Sequence, residues 1–309
     1  MISYKTNDFE SPAPSVVALG CFDGVHIGHS AVISKAVSIA KERSLMSAVW
    51  CFDSPPKNFF DPSSAPVLTT PNEKRKLIEA LGVELLVCVP FDLNIGALSP
   101  EEFFNEILVK RLHAKHIVCG FNYSFGKNGK GDTKLLAKLC SEIGIDFTAL
   151  PPILRNGETI SSSAIRAMLS IGNTEDAAKL LGRKYSITSK VINGNHLGRT
   201  LGFPTANIAL NSEELLLKKG VYVVRALCEY GAFFGITNVG THPTVFPNLL
   251  LAETNLFDFS GDLYEKKIKI EFLEFVRPER TFESIDELSA QVSNDIELAK
   301  KIIMKKYSK

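Results

Sequence analysis

His26 and His29 stand three residues apart in F-D-G-V-H-I-G-H, residues 22–29, directly after an apolar run at 15–21. At a helix start that spacing lets both rings face one site, and Gly24 and Gly28 let backbone approach a ligand closely. Bare N–H groups at a helix start, beside two imidazoles, suit a triphosphate. The pairing also suggests a metal site, a reading that no third ligand set supports. The plain alternative is a tight βα turn with surface histidines, which makes both the double glycine and its place after the first strand accidental. A second stretch, I-S-S-S-A-I-R at 160–166, is first of all a helix N-cap. Yet the hydroxyls of Ser161, Ser162 and Ser163, free N–H groups and the Arg166 guanidinium in the first turn together suit the outer phosphates of a nucleotide. A third, C-G-F-N-Y-S-F-G-K-N-G-K-G-D at 119–132, is a glycine-rich segment after a strand and by itself reads as a flexible loop.

The later part of the chain carries a longer pattern, N-G-N-H-L-G-R-T-L-G-F-P-T-A-N-I at 193–208. Gly194, Gly198 and Gly202 make a pliable loop able to wrap phosphates. Pro204 fixes the way into the next segment, and Thr205 and Asn207, two apart, point to the same side of an extended strand. Both offer oxygen ligands, which suit Mg²⁺ and not a soft metal. The alternative is a glycine-rich β-turn with ordinary polar residues, against which the run from Gly198 to Ala206 is long.

The elements that must carry these residues alternate in the first half. Strand-like runs at 15–21, 46–52, 84–89, 115–119 and 146–150 are separated by helical patterns at 28–43, 72–81, 100–112 and 133–143. On the first helix Val32, Ile33, Ala36, Val37 and Ile39 supply the apolar face. Such alternation predicts a doubly wound parallel sheet covered on both faces, with ligands beyond the carboxyl ends of its strands. One or two short helices at 161–182 close this domain. From 185 to 276 the apolar runs are short, often alternating, and broken by Gly, Pro and Asn, as in a small antiparallel β-barrel or sandwich. A final helix docks one face through Ile285, Leu288, Val292, Ile296, Ala299 and Ile303. The predicted boundary places domains at 1–182 and 183–309.

Composition bounds the partners. A length of 309 residues favours two domains over one core. A net charge of +1 gives no broad field for nucleic acid or an anionic membrane, so neither is expected as a partner. The opening residues lack a signal-peptide core and no apolar run reaches membrane-spanning length. Six cysteines without a C-x-x-C read as free thiols in a reducing compartment, which predicts a cytoplasmic protein without a structural zinc. Oligomeric state is not legible.

The stretch Gly20 to His29, with Phe22, Asp23, Gly24 and Gly28, resembles the H-x-G-H class of nucleotidyltransferases. Together with I-S-S-S-A-I-R, the 119–132 loop and S-P-E-E-F-F at 99–104, it resembles the FMN adenylyltransferase domain of bacterial bifunctional FAD synthetases. The segment around P-T-A-N resembles the ATP- and Mg-binding part of riboflavin kinase, and N-V-G-T-H-P-T at 238–244, A-E-T-N-L-F-D-F-S-G-D-L-Y at 252–264 and F-V-R-P-E-R-T-F at 275–282 agree with it. The resemblance runs from about 15 to 303. It implies a small antiparallel barrel with a C-terminal helix for the second domain. It also implies an enzyme using riboflavin, FMN and ATP, with Mg²⁺: riboflavin is phosphorylated to FMN, and FMN is adenylylated to FAD with release of pyrophosphate.

By this resemblance His26 and His29 steady the α-phosphate while the FMN phosphate attacks, and Ser161, Ser162, Ser163 and Arg166 hold the leaving pyrophosphate. Asn122, Phe125 and Gly126 line the nucleotide pocket, and Arg199 belongs to the kinase's ATP loop. Glu253 falls at the position of the kinase's general base, with Asp258 and Asp262 as nearby alternatives, and Arg277 lies on a flap near the flavin. A lone strand Glu is otherwise a solvated acid. His196 and the pair His113 and His116 read as surface residues. Departures from the family are Pro55 where a His is usual, Ser163 for Thr, Asn255 for His, His242 for Arg and Glu265 for Gly. The kinase-site departures leave the proposed Mg²⁺ ligands and base untouched. Because of Pro55, a kinase with a weak or inactive first domain is a second reading, and a flavin-binding regulator without chemistry a third.

Overall fold

A computed structural model of the chain describes residues 1–6, 8–61, 66–193, 202–210, 216–241 and 250–307. It divides into two compact units, Met1–Ser162 and Ser163–Lys309. The loop residues Gly194, His196, Gly198 and Arg199, and His242, lie outside the described residues.

The first unit is a six-stranded parallel sheet in the order β1-β4-β3-β2-β5-β6. Its strands are β1 (Ile2–Tyr4), β2 (Ser15–Leu19), β3 (Met46–Phe52), β4 (Leu85–Val89), β5 (Ala114–Gly120) and β6 (Asp146–Leu150). The chain leaves β2 toward β3 and β4 on one side and returns through β5 to the other. The carboxyl end of β2 is therefore the switch point at which such sheets bind ligands. Both faces are covered. One core holds Val16, Ala18, Ile33, Ala36 and Val118. The other holds Val17, Leu19, Trp50, Phe103 and Phe104. The connecting helices are α1 (Ile27–Arg43), α2 (Pro56–Phe60), α3 (Pro71–Ala80), α4 (Leu93–Ala97), α5 (Pro100–Glu102) and α6 (Thr133–Glu142). The helix expected over 100–112 begins as one α turn and continues as a wider π-helix over Phe103–Arg111, closed by Leu112 N–H to Ile107 C=O at 3.0 Å. A two-stranded ribbon, β7 (Leu154–Arg155) with β8 (Glu158–Thr159), precedes α7 (Ser162–Ser170).

The second unit is a closed antiparallel barrel ordered β10-β13-β12-β11-β14-β9. It is formed by β9 (Tyr185–Ile192), β10 (Ala206–Leu210), β11 (Gly220–Cys228), β12 (Gly231–Thr241), β13 (Leu250–Leu256) and β14 (Lys267–Pro278). Alternation fills the interior with Ile208, Val224, Thr237, Ala252, Thr254 and Phe272, all at 0% exposure. The outer face of Val221, Val223, Ile236 and Leu273 is closed by Ala299 and Ile303 of α9 (Ile285–Lys306). Ile285, expected on the buried stripe, is exposed; the inward polar residue on this helix is Asp295. The short helix α8 (Thr174–Leu181) packs on β9 and β14, and Thr174 Oγ1 donates to Leu273 C=O at 3.0 Å. Among the described residues no helix is long and apolar enough to cross a membrane, and the six cysteines are free thiols.

Candidate active sites

In the first unit β2 ends at Leu19 and the chain turns sharply before α1. Phe22, Gly24 and Val25 all have left-handed φ, at 51°, 83° and 38°. The turn delivers His26 as the N-cap of α1, where its Nδ1 accepts the His29 backbone N–H at 3.2 Å. With Nδ1 accepting, the N–H donor of this ring is on Nε2. The two imidazoles are stacked, with centroids 3.6 Å apart and planes 16° from parallel. Burial, the neighbouring His26 and Lys74 hold the His29 pKa well below the ordinary value, so His29 is neutral at pH 7. Its Nδ1 is buried without a hydrogen-bond partner among the described residues. The serine stretch meets the same turn: Ser162 Oγ donates to Asp23 C=O at 3.0 Å. Ser163 and Arg166 follow on α7, Ser163 exposed and Arg166 buried.

The glycine-rich loop is a hairpin, with Phe125 and Gly131 exchanging backbone bonds of 3.0 and 2.9 Å. Gly126 has φ 70°, and a Cβ there would collide with the backbone of Pro100. This explains S-P-E-E-F-F as scaffolding. Ser99 and Glu102 form a capping box, Pro100 meets Gly126, and Phe103 and Phe104 enter the core. Asn122 lies exposed at the start of this loop. Pro55 is buried at the N-cap of α2. His116 is not a surface residue: it is 6% exposed, with Nε2 bonded to Thr148 Oγ1 at 2.8 Å. His113 is half-exposed and reaches Glu10 at 3.3 Å.

In the barrel, register does the assembling. Asn207 on β10 and Asn238 on β12 both pair with Glu253 on β13, so the three stand abreast on the outer face. Asn207 is 5% exposed, and its Oδ1 is buried without a hydrogen-bond partner among the described residues, which is the chemistry of a hard-cation ligand. Beside it opens a cavity of about 640 Å³ lined by Pro204, Thr205, Asn207, Phe259, Asp262 and Tyr264. Asp262 Oδ1 is engaged by the Tyr264 N–H at 2.9 Å, and Asp258 is exposed. Asn255, one of the departures, donates through Nδ2 to Pro204 C=O at 2.8 Å, one residue before the proposed ligand Thr205. Arg277 is held by Asp295 through Nε at 3.1 and 3.0 Å and Nη2 at 2.7 Å. Sequence reasoning missed Asp295 and Asn238; a lone acid on the apolar stripe of the last helix was the available signal for the former.

A switch-point turn bearing a stacked pair of imidazoles, and a barrel face bearing a buried amide oxygen beside a carboxylate, suit a two-domain nucleotide-dependent transferase. Residues 8–164 match the FAD synthetase family and residues 181–303 the riboflavin kinase family. The bifunctional riboflavin kinase/FMN adenylyltransferase of Bacillus subtilis (strain 168) is 39% identical, over 93% of this chain and 92% of its own. Its counterpart from Escherichia coli (strain K12) is 37% identical, over 91% and 90%. A crystal structure described as a macrolide-efflux protein from Streptococcus pneumoniae superposes with TM-score 0.86 at 31% identity, over 99% of both chains. The chain belongs to the bifunctional riboflavin kinase/FMN adenylyltransferase family. It is an enzyme with both activities: riboflavin and ATP give FMN and ADP, and FMN and ATP give FAD and pyrophosphate.

Proposed function

We propose the following division of labour. In the first unit His26 and His29 hold the α-phosphate of ATP while an FMN phosphate oxygen attacks in line. Charge stabilisation and positioning supply the catalysis, with no covalent intermediate. Gly20, Phe22, Asp23, Gly24 and Gly28 shape the ATP-binding turn, and Asn122 and Gly126 border the nucleotide. Ser161, Ser162, Ser163 and Arg166 take the leaving pyrophosphate, an assignment that rests on their motif.

In the second unit Glu253 accepts the proton of the ribityl hydroxyl of riboflavin. Thr205 and Asn207 are the Mg²⁺ ligands, and the ion, when bound, neutralises charge on the ATP phosphates. The orphaned Asn207 Oδ1, abreast of Glu253, is the observation that carries this reading. Gly194, Gly198, Arg199 and Gly202, with Pro204, complete the ATP loop. Arg277, engaged by Asp295, serves the flavin through the segment it anchors. Free thiols, four of them buried, fit work in the cytoplasm.

One incubation with riboflavin, ATP and Mg²⁺, resolved by chromatography, tests the assignment. The parent enzyme yields FAD, and His29→Ala stops at FMN. Undiminished FAD from the variant would remove the histidines from the reaction.

A further inference from the structure

Beside the histidine turn lies a charged side chain with no role so far. Lys74, in α3, is 0% exposed. Its Nζ donates to Cys21 C=O at 3.2 Å, Phe52 C=O at 2.8 Å and Asp53 C=O at 3.0 Å, which fills an ammonium's three donors. These carbonyls lie at or just beyond the carboxyl ends of β2 and β3. The segment entering α3 grips the same turn. Asp23 Oδ1 accepts the N–H groups of Leu68 at 2.8 Å and Thr69 at 3.3 Å, and the Gly24 N–H donates to Thr69 Oγ1 at 3.1 Å. Burying an ammonium is costly, and an apolar side chain would pack α3 against the sheet without that cost. Burial lowers the Lys74 pKa, but Cys51, Cys21, Cys88 and the Asp23 carboxylate raise it by more, so the charge is kept.

The turn itself explains the need. Phe22 and Val25 are held in left-handed backbone, with Gly24 between them. Such strain persists only where surrounding structure over-determines it. We propose that Lys74, with Asp23 and Thr69, clamps this strained turn so that His26 and His29 meet the ATP phosphate, which makes Lys74 a positioning residue for adenylyl transfer. The proposal rests on the assignment of the two histidines.

The test uses the full chain with Lys74→Met, Thr69→Val and His29→Ala. FAD formation from FMN is measured against ATP concentration, FMN formation from riboflavin is measured on the same preparations, and the emission of Trp50, the chain's single tryptophan, reports folding of the first unit. Lys74→Met should lower kcat for FAD formation about 10²-fold, the cost of a small misplacement of reacting groups, with KM for ATP within about threefold. Thr69→Val should lower it roughly threefold to tenfold, as for one hydrogen bond. FMN formation should hold in both. A lysine that only supports the fold would leave kcat unchanged below the melting temperature. A folded Lys74→Met enzyme with parental kcat, beside an inactive His29→Ala, overturns the clamp alone. An active His29→Ala overturns the histidine assignment and the clamp with it. If Lys74→Met does not fold, Thr69→Val decides, and parental kcat there overturns the clamp.

Discussion

The two candidate sites, as proposed, hold the phosphates of ATP on opposite kinds of backbone. The first uses an irregular turn with left-handed residues, and its geometry depends on side chains reaching in from about fifty residues away, Lys74 and Thr69 among them. The second uses straight strands, where the ladder that closes the barrel also sets Asn207, Glu253 and Asn238 side by side. A site on a turn needs dedicated support, whereas a site on a ladder shares the hydrogen bonds that make the fold. Substitutions remote from substrate should therefore disturb the first site more readily than the second.

The sharpest cut through this comparison is Glu253→Gln, which keeps shape and one accepting oxygen but cannot take a proton. Kinase turnover should fall by about 10²–10⁴-fold, while FAD formation from supplied FMN is unchanged. Near-normal turnover would move the base to Asp258 or Asp262. Thr205→Ala should act differently, raising the Mg²⁺ concentration for half-maximal FMN formation roughly tenfold, as expected for one lost oxygen ligand. If the two variants share one defect, the row does not separate ligand from base.

A pair of fragments asks how self-sufficient the ladder site is. Residues 163–309 and 183–309 should both phosphorylate riboflavin, but the shorter lacks α8, whose Leu180, Leu181 and Ala177 are buried. Losing that burial costs about 3 kcal/mol or more, so its Tm should be lower by about 10 °C. Equal melting temperatures would place the working boundary at 182/183. The smallest effect is expected at Glu265, whose φ is 60° where the family commonly has glycine. Glu265→Gly should stabilise by up to about 1 kcal/mol in denaturant unfolding. A loss would mean that the Lys190 contact at 3.6 Å outweighs the backbone strain.

Strands β3 and β6 were legible to the residue because their apolar runs end at turn-forming neighbours. The ribbon β7–β8 was not, since two residues per strand carry no periodicity. The histidines stood out through their spacing, and the structure stacks their rings with centroids 3.6 Å apart. Lys74 was not, because a lysine among charged neighbours in N-E-K-R-K reads as a solvated helix face, and only three distant carbonyls reveal otherwise. Asn238 likewise gains meaning only from its register with Glu253.

That register has an evolutionary side. Deleting one residue of β13 ahead of Glu253 would send the carboxylate into the barrel interior and bring Thr254, now inside, out in its place. Within these strands only even-numbered insertions or deletions preserve which side faces the substrate, and even those shift the carboxylate out of line with Asn207. Length variation in descendants of this chain should therefore collect in the connections between strands, leaving strand length as a parity constraint that substitutions alone cannot relax.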